Sequence, residues 1–275
     1  MLMSDITAYN FDSIYHQKGI ITAFKEAGYQ TAFFSNQRYN HSFIDFFGKE
    51  ADTFDFIKED SLDSAYNPSD DELLALVAKE LSKGNQKQFI VLHTYGSHFN
   101  YRERYPSEDA FFLPDYPVEA EVKYRDNLVN AYDNTIRYTD SFLSRLIHML
   151  EEQHVDAAML YTSDHGEDIF DDSRHLFLHA SPVPSYYQLH VPFLIWMSDT
   201  YREAYPEHWQ TVTGNKDKDV SSSCSFFPTM LELGGVQTSY RNDSSSVVSP
   251  LYTMKPRVYL NDHNEPRPLL SLIHI

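Results

Sequence analysis

The chain has 275 residues, enough to bury the core of one α/β domain. Its 22 Lys and Arg against 40 Asp and Glu leave a formal charge of −18, which repels a phosphate backbone and argues against nucleic acid as a partner. A single cysteine, Cys224, cannot close a disulfide within the chain, so cysteine usage leaves the redox compartment open.

Apolar runs of strand length alternate with longer amphipathic segments. This predicts an α/β sandwich, a mostly parallel central sheet flanked by crossover helices, in a single domain over residues 1–275. The first helix is expected over Phe11 to Ala27, stopped by Gly28, and a strand over Tyr29 to Ser35 with Asn36 just past its end. Ser69-Asp70-Asp71-Glu72 opens a helix with acids over the positive end of its dipole, closing at Gly84. Gln88 to Tyr95 reads as the next strand. From Glu119 to Gln153, Leu128, Ala131, Thr135, Tyr138, Phe142, Leu146 and Met149 recur at helical spacing, with a break near Glu121. Ala157 to Ser163 and His190 to Trp196 are predicted strands. The apolar run Val191 to Met197 falls far short of the ~20 residues of a membrane helix. Ser221 to Leu233 reads as a helix despite Pro228, Ser239 to Val248 as polar loop, and Arg257 to Asn261 as a strand entering a hairpin.

The chemistry concentrates at strand ends, where α/β folds build their sites. In Ser163-Asp164-His165-Gly166-Glu167 a carboxylate and an imidazole stand side by side at the end of an apolar run. Loop backbone there frees neighbouring side chains to reach one divalent cation, and Gly166 is expected to turn the chain with φ > 0. Glu167 either orients His165 or is a solvated loop acid. His98, just past Gly96, projects from a strand end and is a functional candidate, whereas His93 within the apolar run reads as a packed histidine with one hydrogen bond. His179, after Phe177-Leu178, is a third candidate ligand. Asp168, Asp171 and Asp172 lack the spacing and central glycine of a calcium loop and read as solvated. Arg102 and Arg104 are expected to pair with nearby acids, and the aromatic residues to serve the core.

In chain order, Leu92-His93-Thr94-Tyr95-Gly96-Ser97-His98, Tyr132-Asp133-Asn134-Thr135, Ser163 to Glu167, Leu178-His179 and His190-Val191-Pro192 form a collinear set. Over nearly the whole chain it resembles the sulfatase-like phosphoethanolamine transferases of bacterial envelopes. The resemblance implies an alkaline phosphatase/sulfatase-like fold and a zinc cofactor, with Asp164 and His165 as metal ligands. It makes His98 and His179 catalytic groups that contact the phosphoethanolamine or a second zinc, and it makes Asn36 a substrate-binding residue. It further implies a phosphatidylethanolamine donor, a lipid A-type acceptor, a zinc-activated threonine nucleophile, and an inner-membrane protein whose catalytic domain faces the periplasm. In relatives, the threonine, the first acidic zinc ligand and the membrane helices lie upstream of the stretch that resembles Met1-Leu2-Met3-Ser4. The chain is therefore expected to be truncated at its N-terminus and incomplete at its C-terminus, and to have little transferase activity by itself. Thr7 receives no catalytic role.

Two alternatives stay open. A sulfatase, phosphoglycerol transferase or phosphodiesterase of the same superfamily would share the Asp-His pair and differ in the nucleophile. A non-catalytic remnant that binds zinc and a lipid headgroup is the other, and the charge of −18 opposes it unless metal is bound.

Overall fold

The structure, a computed structural model, describes residues 2–39, 43–57, 67–84, 87–179, 183–261, 263 and 265–269; the expected C-terminal end, 271–275, lies outside them. The helices are α1 (Ile20–Glu26), α2 (Phe43–Gly48), α3 (Glu72–Leu81), α4 (Arg125–Glu152), α5 (Tyr186–Leu189), α6 (Asp199–Ala204), α7 (Pro206–Asn215) and α8 (Ser222–Leu233). The strands are β1 (Gln30–Ser35), β2 (Thr53–Phe56), β3 (Gln88–His93), β4 (Ala158–Thr162), β5 (Asp168–Ile169), β6 (Phe177–Leu178), β7 (Phe193–Met197), β8 (Val258–Leu260) and β9 (Pro266–Pro268). No helix among the described residues is long and apolar enough to cross a membrane. The architecture is α/β, divided into two compact units.

One unit comprises Gln30–Met149 and Asp168–Leu178. Its sheet is parallel, in the order β2-β1-β3. Central β1 buries Ala32, Phe33 and Phe34 in succession, the unbroken apolar run of a strand covered on both faces. Leu73 and Val77 of α3 are buried as well. In the register, Ser35 faces both Phe56 and His93, so all three strands end at one level. The predicted long helix starts at Arg125, after a 3-10 turn over Val122–Tyr124 that supplies the expected break. Leu128 and Ala131 of α4 pack with Tyr101 and Ile169 in a second core. The acids predicted to be solvated are engaged instead: Asp168 is 1% exposed, Asp171 pairs with Arg125 at 2.9 Å and Asp172 with Arg174 at 2.6 Å. Their loop returns into β6; Arg174 is a neighbour two residues from Asp172, whereas Arg125 lies 46 residues before Asp171, too far for spacing to reveal. As expected, Arg102 pairs with Asp115 at 3.3 Å and Arg104 with Glu103 at 3.2 Å.

The other unit comprises Met1–Tyr29, Leu150–Glu167 and His179–Ile275. Here β4 pairs with β7 antiparallel, from Ala158 against Met197 to Thr162 against Phe193, where alternation with helices had suggested a parallel partner. Strand direction is carried by the connection, and among the described residues short α5 is the only helix between β4 and β7. The first predicted helix is a 3-10 turn, Phe11–Tyr15, and then α1, because Gly19 is extended and restarts the helix as its cap. The serine-rich segment before Val248 is loop apart from a 3-10 turn over Asp243–Ser245, and its end enters the core: Ser246 and Val248 are fully buried, and the Val247 N–H donates to Thr229 Oγ1 at 3.1 Å. Met197, Tyr201, Leu233, Val247 and Tyr252 form that core. The predicted C-terminal hairpin is β8 against β9.

Candidate functional site

In the unit that holds β4 and β7, the chain leaves β4 at Thr162 and passes directly into the Asp-His-Gly-Glu turn. The turn is stiffened locally: Ser163 Oγ donates to the His165 carbonyl at 2.7 Å, and the His165 N–H donates to Asp164 Oδ1 at 3.1 Å. Gly166 is not in the left-handed region, contrary to expectation. It is required because the backbone after α5's first residues comes close: its N–H donates to the Gln188 carbonyl at 2.8 Å, and a Cβ would lie 2.1 Å from the Tyr187 carbonyl oxygen.

Three groups meet there. Metal-binding atoms of His165, Glu167 and His179 all lie within 4.8 Å of one another. The two imidazole centroids are 3.7 Å apart, and His179 Nδ1 is 3.4 Å from Glu167 Oε1. The Glu167 side chain is 5% exposed, which removes the solvated-loop reading. His165 Nδ1 lies 2.9 Å from the Gly166 carbonyl, an acceptor only, so Nδ1 carries the proton and Nε2 keeps its lone pair. That same Nε2 is 3.8 Å from Asp164 Oδ2, on a side chain 75% exposed. Ligand atoms bound tetrahedrally to zinc at ~2.0–2.1 Å stand about 3.3 Å apart, and two imidazoles with carboxylates are a usual zinc donor set. The residues present fit zinc. Leu178, just before His179, holds φ 64°, a strained conformation for a leucine of the kind that gathers at functional sites.

His98 and Asn36 belong to the other unit and are described there. His98 is exposed beyond the end of β3, with its Nδ1 against the Phe99 carbonyl and its ring edge-on to Tyr95 at 5.1 Å. His93 is the hydrogen-bonded histidine expected, its Nδ1 2.9 Å from Ser35 Oγ. Asn36 is 1% exposed, and its Nδ2 donates to the Pro68 carbonyl at 3.0 Å and to Asp70 Oδ1 at 2.7 Å, which braces the strand end.

The Tyr-Asp-Asn-Thr stretch of α4 also acquires a structural meaning. Asn134, 1% exposed, accepts from the Phe111 and Phe112 N–H groups at 2.9 Å and donates to the Tyr105 hydroxyl at 3.2 Å. Burial pushes the Tyr105 phenol up to about 12, with the Asp115 carboxylate adding to the rise and the Asn134 hydrogen bond opposing it. Thr135 Oγ1 stands 2.7 Å from Ser97 Oγ, in the turn that leads to His98. A buried asparagine that fastens a distant loop leaves no periodic trace in a sequence.

A sequence model of the Sulfatase family matches residues 1–236. The phosphoethanolamine transferase EptA of Salmonella typhimurium is 34% identical over 168 residues, 58% of this chain and 30% of that protein's length. Less than a third of the relative is therefore spanned. The zinc complex of the C-terminal periplasmic domain of EptC from Escherichia coli superposes with a TM-score of 0.88 at 22% identity, covering 99% of this chain and 77% of that one. The integral membrane protein lipooligosaccharide phosphoethanolamine transferase A from Neisseria meningitidis gives 0.79 at 24% identity, covering 90% of this chain and 47% of that one.

Proposed function

The chain belongs to the Sulfatase family, and on that footing we propose that it is the zinc-dependent catalytic portion of an envelope phosphoethanolamine transferase, taking the headgroup from phosphatidylethanolamine and passing it to a lipid A-type acceptor at the periplasmic face of the inner membrane. The observation that carries this reading is the His165, Glu167 and His179 cluster, with Asp164 beside it, in a chain similar to named phosphoethanolamine transferases.

His165 Nε2 and the Glu167 carboxylate would hold zinc, with Asp164 completing the set and His179 beside it. Bound there, zinc supplies Lewis acidity at neutral pH. The Gly166 carbonyl accepts from His165 Nδ1 and so, in the neutral ring, leaves Nε2 as the nitrogen that can bind a metal. His179, its Nδ1 3.4 Å from the buried Glu167 carboxylate that orients the ring, is assigned to hold charge on phosphoryl oxygens and to deliver a proton to the departing diacylglycerol oxygen. His98 is assigned contact with the phosphoethanolamine headgroup. No threonine of this chain is assigned the nucleophile's role.

The test is lipid A mass spectrometry after expression of the complete reading frame, wild type beside His165→Ala, with zinc content measured on both purified proteins. Phosphoethanolamine is expected on lipid A with the wild type alone. Unmodified lipid A from zinc-loaded wild type, or modification by a zinc-free His165→Ala protein, overturns the reading.

A further inference from the structure

The turn that carries His98 is fastened by one buried carboxylate. Asp70, just ahead of α3, is 8% exposed. Its Oδ1 accepts from Asn36 Nδ2 at 2.7 Å and from the Tyr95 N–H at 2.8 Å, and its Oδ2 accepts from the Gly96 N–H at 2.9 Å. These donors compensate a charge whose burial would otherwise be costly, and hydrogen bonds to an ionised oxygen are about twice as strong as neutral ones. They also come from two strand ends. Asn36 follows β1 and donates its own N–H to the His93 carbonyl at 2.9 Å, while Tyr95 and Gly96 follow β3. Gly96 sits at φ +58°, so the chain reverses at the point Asp70 grips. Thr135 of α4 holds the next residue, Ser97, and His98 follows, exposed.

Resting on the transferase reading above, we propose that Asp70 is a positioning residue: by clamping the Tyr95-Gly96 turn to Asn36 it holds His98 in the orientation that receives the phosphoethanolamine headgroup. Asp70 touches no substrate. It acts through the two backbone amides, and Asn36 is its strut.

The experiment is calorimetric titration of the zinc-loaded 275-residue chain with O-phosphoethanolamine, comparing wild type, His98→Ala, Asp70→Asn, Asp70→Ser and the double variant Asp70→Asn/His98→Ala. Asparagine keeps one acceptor but turns an amine toward a backbone N–H; serine keeps an acceptor at lower reach, and either variant that folds decides the matter. His98→Ala and the Asp70 variant are each expected to weaken binding by about tenfold or more, the scale of a lost charge-assisted hydrogen bond, with zinc content unchanged. The double variant is expected to bind no more weakly than His98→Ala alone, since residues that act as a unit do not add. A purely structural Asp70 would lower the melting temperature and leave the affinity untouched, and that result overturns the inference, as does a double variant in which the two losses multiply. Wild type that carries zinc but does not bind the probe overturns the transferase reading and this inference with it.

Discussion

Around His98 the turn is tied by hydrogen bonds to groups inside the protein, while at His165 the protein gathers groups suited to holding a cation. Asp70 meets three donors, and Ser97 meets Thr135. At the other site two imidazoles and a buried carboxylate crowd within 4.8 Å, and the backbone that places them is forced, by the close approach at Gly166 and the positive φ at Leu178. The first is organised by the hydrogen bonds of a buried carboxylate; the second adds a steric constraint to the hydrogen bonds of its own turn. Preorganisation by hydrogen bonds fixes a direction and tolerates small changes of side-chain volume; preorganisation by contact fixes a position and tolerates none.

Glycine substitution breaks this comparison most sharply. A Cβ at Gly166 meets a backbone oxygen at 2.1 Å, which no rotamer change relieves, so Gly166→Ala should destabilise by about 3 kcal/mol or more in urea unfolding. Gly96→Ala has nothing nearer than Thr94 Oγ1 at 3.7 Å and suffers only the left-handed conformation, a cost of about 1–2 kcal/mol. Equal losses would mean that the two turns are held in the same way.

Zinc sharpens it next. If the cluster needs a cation to reconcile its charges, zinc at a hundredfold excess over its dissociation constant should raise stability by about 2.7 kcal/mol. His165→Ala and Glu167→Ala should remove that gain, while His98→Ala should keep it, as measured by thermal melts with and without chelator. A zinc-dependent gain that survives Glu167→Ala would place the cation elsewhere.

What could be read from the sequence follows the same divide. The strands β1, β3 and β4 and the helices α3, α4 and α8 announce themselves because burial imposes a local period or an unbroken apolar run, and the Asp164-His165 pair is visible because adjacency is a local property. Glu167 was legible as a candidate but not as a buried one, since its enclosure depends on where the chain lies at His179. The burial of Asn36 was hidden for the same reason: its partners, Pro68 and Asp70, come from beyond the next strand. The polar helices α6 and α7 went unseen, with no buried residue in α7 to mark a face. Direction of β7 against β4 is not encoded in composition at all.

A smaller effect is expected from the other tether of the His98 turn. Thr135→Val removes the hydroxyl that meets Ser97 Oγ at 2.7 Å and the Tyr132 carbonyl at 2.6 Å, at nearly constant volume. The cost should be about 1 kcal/mol in chemical denaturation, one net hydrogen bond. A loss as large as that of Gly166→Ala would show that the turn is a rigid contact and not a tether.

The smallest difference belongs to alkaline pH, and it tests whether the hydrogen-bonded unit is as dry as its geometry implies. Burial raises the Tyr105 phenol to about 12 and the Tyr138 phenol to about 12. An unfolded tyrosine titrates near ~10. Between these values the unfolded chain has released protons that the folded chain still holds, so the unfolded state binds fewer protons and stability falls as pH rises. The contribution of each tyrosine is complete below pH ~10 and is lost as pH climbs toward its folded value. Tyr105→Phe cannot titrate, so its stability deficit relative to wild type should shrink as pH rises from 10 toward 12, read from urea midpoints at fixed ionic strength. A deficit that stays constant across that range would mean that Tyr105 ionises as it does in water, and that the Asn134, Tyr105 and Asp115 network is open to solvent.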